Sequence, residues 1–161
     1  MTGKLYVVAT PIGNLGDITI RAIDILKNVD LVLAEDTRHS KKLFAHYEIR
    51  TPLRAFHEHN EKVKTEAIIN EINAGKSIAM ISDAGTPLIS DPGYHLVSSA
   101  KNVGLNVVPI PGPSAVITAL SSSGLASNRF TFFGFLPSKP LARLKFLQTK
   151  INLDETIIFY E

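Results

Sequence analysis

Ser77-Ile78-Ala79-Met80-Ile81-Ser82-Asp83-Ala84-Gly85-Thr86-Pro87-Leu88-Ile89-Ser90-Asp91-Pro92-Gly93 is the stretch whose reading decides the fold. Its first five residues are an apolar run of strand length, with no polar alternation, as a strand buried on both faces requires. The strand empties into small residues, glycine, proline and the carboxylates Asp83 and Asp91. Small side chains let backbone N–H groups come close to a ligand, because no bulky Cβ substituent holds it off. Asp91-Pro92 then reads as an N-cap followed by a proline at the first helical position. A strand, a ligand-sized loop and a capped helix, in that order, is how open α/β sheets build binding sites at their carboxyl edge.

Working outward, the same rhythm repeats. Residues 5–9 predict a strand and 18–27 a helix; 31–34 predict a second strand and 39–47 a second helix. Residues 53–56 form a short third strand. The segment 61–74 places Val63, Ala67, Ile68 and Ile72 at helical spacing, and Gly75 stands where a C-cap glycine belongs. After the strand at 77–81 come a helix over 92–102, a strand at 107–110 and a small-residue helix over 114–123. Strands alternating with helices, several of them apolar throughout, predict an α/β fold: an open, parallel, five-stranded sheet with helices on both faces.

Ser121-Ser122-Ser123-Gly124 reads as a linker. The expected organisation is therefore a ligand-binding α/β domain over 1–124 and the start of a second α/β domain over 125–161. One strand (129–135), one basic helix (141–150) and one strand (156–160) do not complete that second domain. Thr156-Ile157-Ile158-Phe159-Tyr160 is apolar and β-prone, and the expectation is an unpaired, association-prone edge.

Composition narrows the class. At 161 residues, 45% hydrophobic and 20% charged, the chain has an ordinary globular make-up. It contains no cysteine, so disulfides and thiolate metal sites are excluded and a cytoplasmic setting is expected. No apolar run approaches the roughly 20 residues that cross a bilayer, and the N-terminus runs straight into a strand without a secretory leader. A net charge of +2 is too small to argue for nucleic acid by itself.

Three loops leave the carboxyl ends of strands with ligand-site chemistry. They are Thr10-Pro11-Ile12-Gly13-Asn14-Leu15-Gly16-Asp17, the stretch 83–93, and Pro111-Gly112-Pro113-Ser114-Ala115. In a parallel sheet all three lie on one edge and can face one crevice. Tight βα turns are the plainer reading of each. Gly13-x-x-Gly16 is neither a dinucleotide fingerprint nor a P-loop, which argues against both classes of nucleotide binder. Glu35 and Asp36, at the end of the second strand, are candidate catalytic carboxylates; helix capping plus a pair with Arg38 is the alternative. His57 and His59 would share a face if the third strand continued through them. A two-histidine metal site lacks a third ligand, so no metal is expected and contact with RNA or a polar network is favoured. Arg38-His39-Ser40-Lys41-Lys42 and Lys139-Pro140-Leu141-Ala142-Arg143-Leu144-Lys145 are modest basic clusters able to meet phosphates, or solvated helix faces.

Taken in order, the first loop with Ile18-Thr19, then Ala34-Glu35-Asp36-Thr37-Arg38, Phe56-His57-Glu58-His59-Asn60-Glu61, residues 82–93 and Pro111-Gly112-Pro113-Ser114-Ala115 resemble the tetrapyrrole methylase superfamily over the whole chain. Within it they are most similar to the branch that methylates a cytidine ribose 2′-hydroxyl in 16S rRNA of the small ribosomal subunit. Gly85-Thr86-Pro87 stands where porphyrin-type members have Gly-Asp-Pro, which points away from the tetrapyrrole branch. The resemblance implies a homodimer, with S-adenosylmethionine as cofactor in the cleft between two domains. It places cofactor contacts at Pro11, Ala84, Gly85, Thr86, Ile89, Ser114 and Ala115. Other superfamily methyltransferases, of precorrin or diphthine type, and a non-catalytic dimerising or cofactor-binding module remain as alternatives. For methyl transfer to a ribose hydroxyl, Glu35 or Asp36 would take the proton. Arg38, His57 and His59 would meet the RNA.

Overall fold

The structure, a computed structural model, describes residues 2–150 and 154–161. Five parallel strands, β1 (Lys4–Val8), β2 (Leu31–Ala34), β3 (Leu53–Ala55), β4 (Ile78–Ile81) and β5 (Asn106–Ile110), form one sheet in the order β3-β2-β4-β1-β5. Every residue of β2 and β4 is buried, which is why both read as unbroken apolar runs. Successive side chains serve opposite layers. Val32 and Ala34 pack with Ala22 and Leu26 of α1 (Ile20–Asn28) and Leu43 and Phe44 of α2 (Thr37–His46). Leu31 and Leu33 pack with Ile68 and Ile72 of α3 (Glu58–Asn73) and Leu96 and Ala100 of α4 (Tyr94–Asn102).

This layering positions the site. The chain steps outward from β1 to β3 through α1 and α2 on one face, then returns through α3 and α4 on the other. Neighbouring strands β1 and β4 therefore send their outgoing loops to opposite faces. A crevice opens between such loops at the carboxyl edge, the place where open α/β sheets hold ligands.

The predicted elements are all present among the described residues, with ends shifted by local caps. The first helix begins at Ile20 rather than Ile18, because the Thr19 hydroxyl accepts the Ala22 N–H at 3.1 Å. A short 3-10 turn, Leu15–Asp17, precedes it. The third helix begins at Glu58, so His57 caps a helix and His59 lies within it; the strand does not continue through them. Asp91-Pro92 does not open α4. The N-cap is Gly93, at φ +127°, and Asp91 makes no cap bond.

The chain divides between Ser114 and Ala115 into two compact units, where the sequence suggested Gly124. The second unit holds α5 (Ala115–Ser122), β6 (Phe130–Phe135), α6 (Pro140–Gln148) and β7 (Thr156–Tyr160). The expected unpaired edge is corrected here: β7 pairs with β6 in parallel, with Phe132 opposite Ile158. Phe133 stacks on Phe159, with ring centroids 5.7 Å apart, and meets Phe146 of α6 edge-on. No helix among the described residues is long and apolar enough to cross a membrane.

Candidate functional site

The loop after β1 and the loop after β4 are bonded to each other. Thr10 N–H donates to Gly85 O at 2.9 Å and Gly85 N–H returns to Thr10 O at 3.0 Å, an isolated antiparallel bridge. The buried Thr10 hydroxyl adds a bond to Ser82 O at 3.2 Å. The loop after β5 joins them where Thr86 Oγ1 donates to Pro113 O at 3.3 Å. Gly85 sits where the three meet. Its φ is +76°, and a Cβ added there would lie 3.4 Å from Ile12 Cγ2 and 3.8 Å from Pro113 O. The converging surface is therefore backbone and small side chains, which lets a ligand approach the main chain closely. Ala84 and Ile89 are exposed beside it, and Pro11 and Thr86 are half-buried. Ser114 closes the first unit and Ala115 opens α5.

Beyond Gly85 the loop is strained. Leu88 and Ser90 hold φ values of +74° and +67°, conformations that cost a non-glycine residue about 1–3 kcal/mol each. Such backbone persists only where its surroundings over-determine it.

Beside this loop is a cleft of about 620 Å³ lined by Glu35, Glu58, His59, Glu61, Lys62, Ser90, Asp91, Pro92, Tyr94 and His95. The adjacent carboxylates Glu35 and Asp36 are separated by their surroundings. Asp36 accepts Arg38 Nη2 at 2.8 Å, Arg38 Nε at 3.1 Å and the Arg38 backbone N–H at 2.8 Å, so it caps α2 and holds its own guanidinium partner. Those bonds keep its carboxyl well below the ordinary carboxylate range. Glu35 moves the other way: partial burial raises its pKa, and the carboxylates of Asp83, Asp91, Asp36 and Glu58 raise it further. Asp91 is also raised, by burial and by Asp83, against a hydrogen bond from Ser82. Asp83 itself accepts the Asp36 N–H at 3.1 Å, tying the ends of β2 and β4 together.

The histidines are brought together by a helix start rather than a strand. Asn60 Nδ2 lies 2.9 Å from His57 Nε2, and His57 N–H donates to Asn60 Oδ1 at 3.0 Å. The rings of His57 and His59 meet edge-on at 5.9 Å, and only His59 lines the cleft. On the α2 side, a smaller cavity of about 160 Å³ is lined by Pro11, Leu15, Asp83 and, from the basic cluster, His39 and Lys42. Arg38 is a surface residue, its side chain 87% exposed and paired with Asp36.

The sequence reading passed over one functional-looking group. Glu61 is 5% exposed, yet its Oε1 accepts three backbone N–H groups at the start of α4: Gly93 at 3.1 Å, His95 at 2.7 Å and Leu96 at 3.3 Å. The apparent local cap at Asp91-Pro92 concealed it. Nothing in the sequence ties a glutamate to a helix more than 30 residues downstream.

With this geometry in view, comparison with known proteins assigns the class. The family model for Tetrapyrrole (Corrin/Porphyrin) Methylases matches residues 4–161, and the chain belongs to that family. Among curated relatives, Ribosomal RNA small subunit methyltransferase I of Vibrio cholerae is 57% identical over 157 residues, 98% of this chain and 54% of the relative. The protein of that name from Haemophilus influenzae is 55% identical over 100% of this chain and 57% of the relative. That from Escherichia coli O157:H7 is 53% identical over 99% and 56%. The chain thus spans a little over half the length of these relatives. A diphthine synthase structure superposes with a TM-score of 0.71 at 14% identity, covering 98% of this chain and 64% of that one. Uroporphyrin-III-C-methyltransferase from Thermus thermophilus gives 0.63 at 21%, covering 85% and 65%. At such identities these two show the fold alone.

Proposed function

We propose that this chain carries the cofactor-binding part of an S-adenosylmethionine-dependent methyltransferase acting on a cytidine ribose 2′-hydroxyl in 16S rRNA of the small ribosomal subunit. The convergence of three backbone-lined loops on Gly85, in a chain 53–57% identical to the relatives named above, carries this reading. S-adenosylmethionine held there supplies a sulfonium-activated methyl group. The residues present suit it: Gly85, its own N–H and C=O bonded to Thr10, has no side chain to hold a ligand off, Ala84 and Thr86 flank it, Ile12 and Ile89 can cover a flat ring, and Pro11, Ser114 and Ala115 would complete the contacts.

The chain's remaining tasks are alignment and proton removal. Bringing a hydroxyl into line with an activated methyl group accounts for much of the acceleration of such a displacement. Glu35 is the proposed proton acceptor, because its raised pKa makes it a stronger base than an ordinary carboxylate. Asp36 is left to hold α2 and Arg38. Lys42 on the smaller cavity, with Arg38 nearby in sequence, offers positive charge to RNA phosphates, His39 beside it offers a ring hydrogen-bonding group, and His59 lies on the cleft wall. A homodimer working in the cytoplasm completes the proposal.

The test is methyl transfer from labelled S-adenosylmethionine to 30S subunits, free 16S rRNA and a porphyrin precursor. Label in a cytidine ribose of 16S rRNA is expected. Transfer to the porphyrin precursor instead would overturn the assignment. Tight cofactor binding with no transfer to any acceptor would favour a non-catalytic module.

A further inference from the structure

The amino end of a helix leaves its first N–H groups without intrahelical partners, and a side chain just ahead of the helix normally satisfies them. α4 has candidates in place, Ser90 and Asp91, and uses neither. Its N–H groups at Gly93, His95 and Leu96 all point to Glu61 Oε1 on α3, in a setting where Glu61 is 5% exposed. A local cap stabilises one helix. A cap borrowed from a second helix also fixes where the first one starts relative to it.

We propose that Glu61 is a positioning residue for the cofactor loop: by pinning Gly93, His95 and Leu96 to α3, it holds Gly85 through Gly93 in the conformation that presents backbone groups to S-adenosylmethionine. This rests on the cofactor reading of that loop given above. Three features of the loop require such an anchor. Leu88 and Ser90 are both left-handed, and a free segment would relax them. Gly93 is pressed against the core, since a Cβ added there would lie 2.7 Å from Met80 Cε and 3.2 Å from Leu88 Cδ1. At its other end the loop is already fixed by the Thr10–Gly85 bridge. With both ends tied, one to the loop after β1 and one to α3, the strained middle has a single arrangement. Glu61 also lies on the wall of the cleft that holds Glu35, so one carboxylate couples the cofactor loop to the acceptor side.

The experiment compares this chain with Glu61→Ala, Glu61→Gln and Ile68→Val. Ile68 is fully buried on the same helix, in the core cluster that also holds Leu96 and Leu88, and takes no part in the hydrogen bonds to the α4 N–H groups, so its variant loosens the core around the loop while leaving the cap bonds in place. Affinity for S-adenosylhomocysteine is measured by titration calorimetry, exchange of residues 84–93 by hydrogen–deuterium mass spectrometry, and stability by thermal unfolding. Glu61→Gln keeps one neutral acceptor oxygen and folds even if Glu61→Ala does not. The expected result is weaker affinity in Glu61→Gln by about tenfold, and by up to about a hundredfold in Glu61→Ala, as loss of positioning gives. Exchange across 84–93 should quicken in both. Ile68→Val should lose stability and keep affinity within about twofold. Unchanged affinity in Glu61→Gln and Glu61→Ala overturns the proposal, as does an equal affinity loss in Ile68→Val, since capping would then act only through stability. A wild-type chain that binds no cofactor overturns the reading of the loop itself, a failure seen before any variant is made.

Discussion

The starts of α2 and α4 are built for the same task in opposite ways. Each follows a fully buried central strand at the carboxyl edge of the sheet, and each faces away from the other across it. α2 is capped by the residue just ahead of it, Asp36, which also grips Arg38. α4 begins at a left-handed glycine and is capped by Glu61 from another helix. A self-contained cap settles its helix and consumes its own carboxylate. A borrowed cap leaves the local carboxylate Asp91 in the cleft and makes the preceding loop depend on a distant element. The start of α2 is therefore capped from its own sequence, with one further bond from Asp36 N–H to Asp83, while the start of α4 depends on a side chain from α3.

The largest expected effect tests whether the carboxylate consumed by the cap is out of the chemistry. Glu35→Gln should lower methyl transfer by about 10²–10⁴-fold, the usual loss when a positioned proton acceptor is removed. Asp36→Asn keeps an oxygen to accept the Arg38 N–H and should change turnover less than about tenfold. Steady-state kinetics on both variants decides between them. A loss at Asp36 equal to that at Glu35 would mean the cap and the chemistry share one residue.

Next in size is the loop before α4. Gly85→Val places a branched Cβ in a left-handed backbone, 3.4 Å from Ile12 Cγ2. Cofactor affinity should fall by about 10²-fold, the scale of a misplaced contact at a ligand. Stability should fall by only about 1–3 kcal/mol, because β4 keeps its core contacts. Paired calorimetric and thermal measurements check this. Wild-type affinity in the variant would make the loop a plain βα turn.

What the sequence disclosed follows the same division. β2 and β4 were legible because strands buried on both faces must be continuously apolar, and Asp36 was legible as a cap because its partner is two residues away. Thr19 was missed as the residue that moves the start of α1, although its signal is of the same local kind. The meeting of the loops after β1, β4 and β5 was legible because a parallel sheet puts all three on one edge; their role as the cofactor site stays with the proposal above. His57 and His59 were expected to share a face only if the third strand continued through them; that condition is not met, because Asn60 bonds back to His57 and the helix starts there. Glu61 was illegible for a physical reason: its partners are backbone N–H groups, which carry no sequence signature. The β6–β7 pairing was overlooked although its signal was present, since a strand, a helix and a strand in succession is the same βαβ pattern that predicts the parallel sheet of the first unit.

The smallest expected effect concerns the other end of α3, and it sharpens the contrast between buried and exposed anchoring. Glu71 binds Arg54 of β3 and Lys76, the latter at 2.9 Å, and its side chain is 22% exposed. Hydrogen bonds from Arg54 and then Lys76 lower its pKa from 4.5 to about 2. A carboxylate with a depressed folded-state pKa adds stability above its unfolded value and loses it as pH falls through the folded one. The contribution is thus complete above pH 4.5 and gone below about 2. Arg54 and Lys76 are 39% and 53% exposed, so solvent screening limits it to about 1 kcal/mol or less. Glu71→Gln should therefore be slightly less stable than wild type in urea at pH 7, and the gap should close between pH 4.5 and 2. A gap that stays constant through that window would show that Glu71 acts by packing rather than by charge. Because the cap at Glu61 lies near the opposite end of the helix, exchange across residues 84–93 at pH 7 should be the same in Glu71→Gln and wild type. Faster exchange there would mean that the loop is held by α3 as a whole rather than by one buried carboxylate.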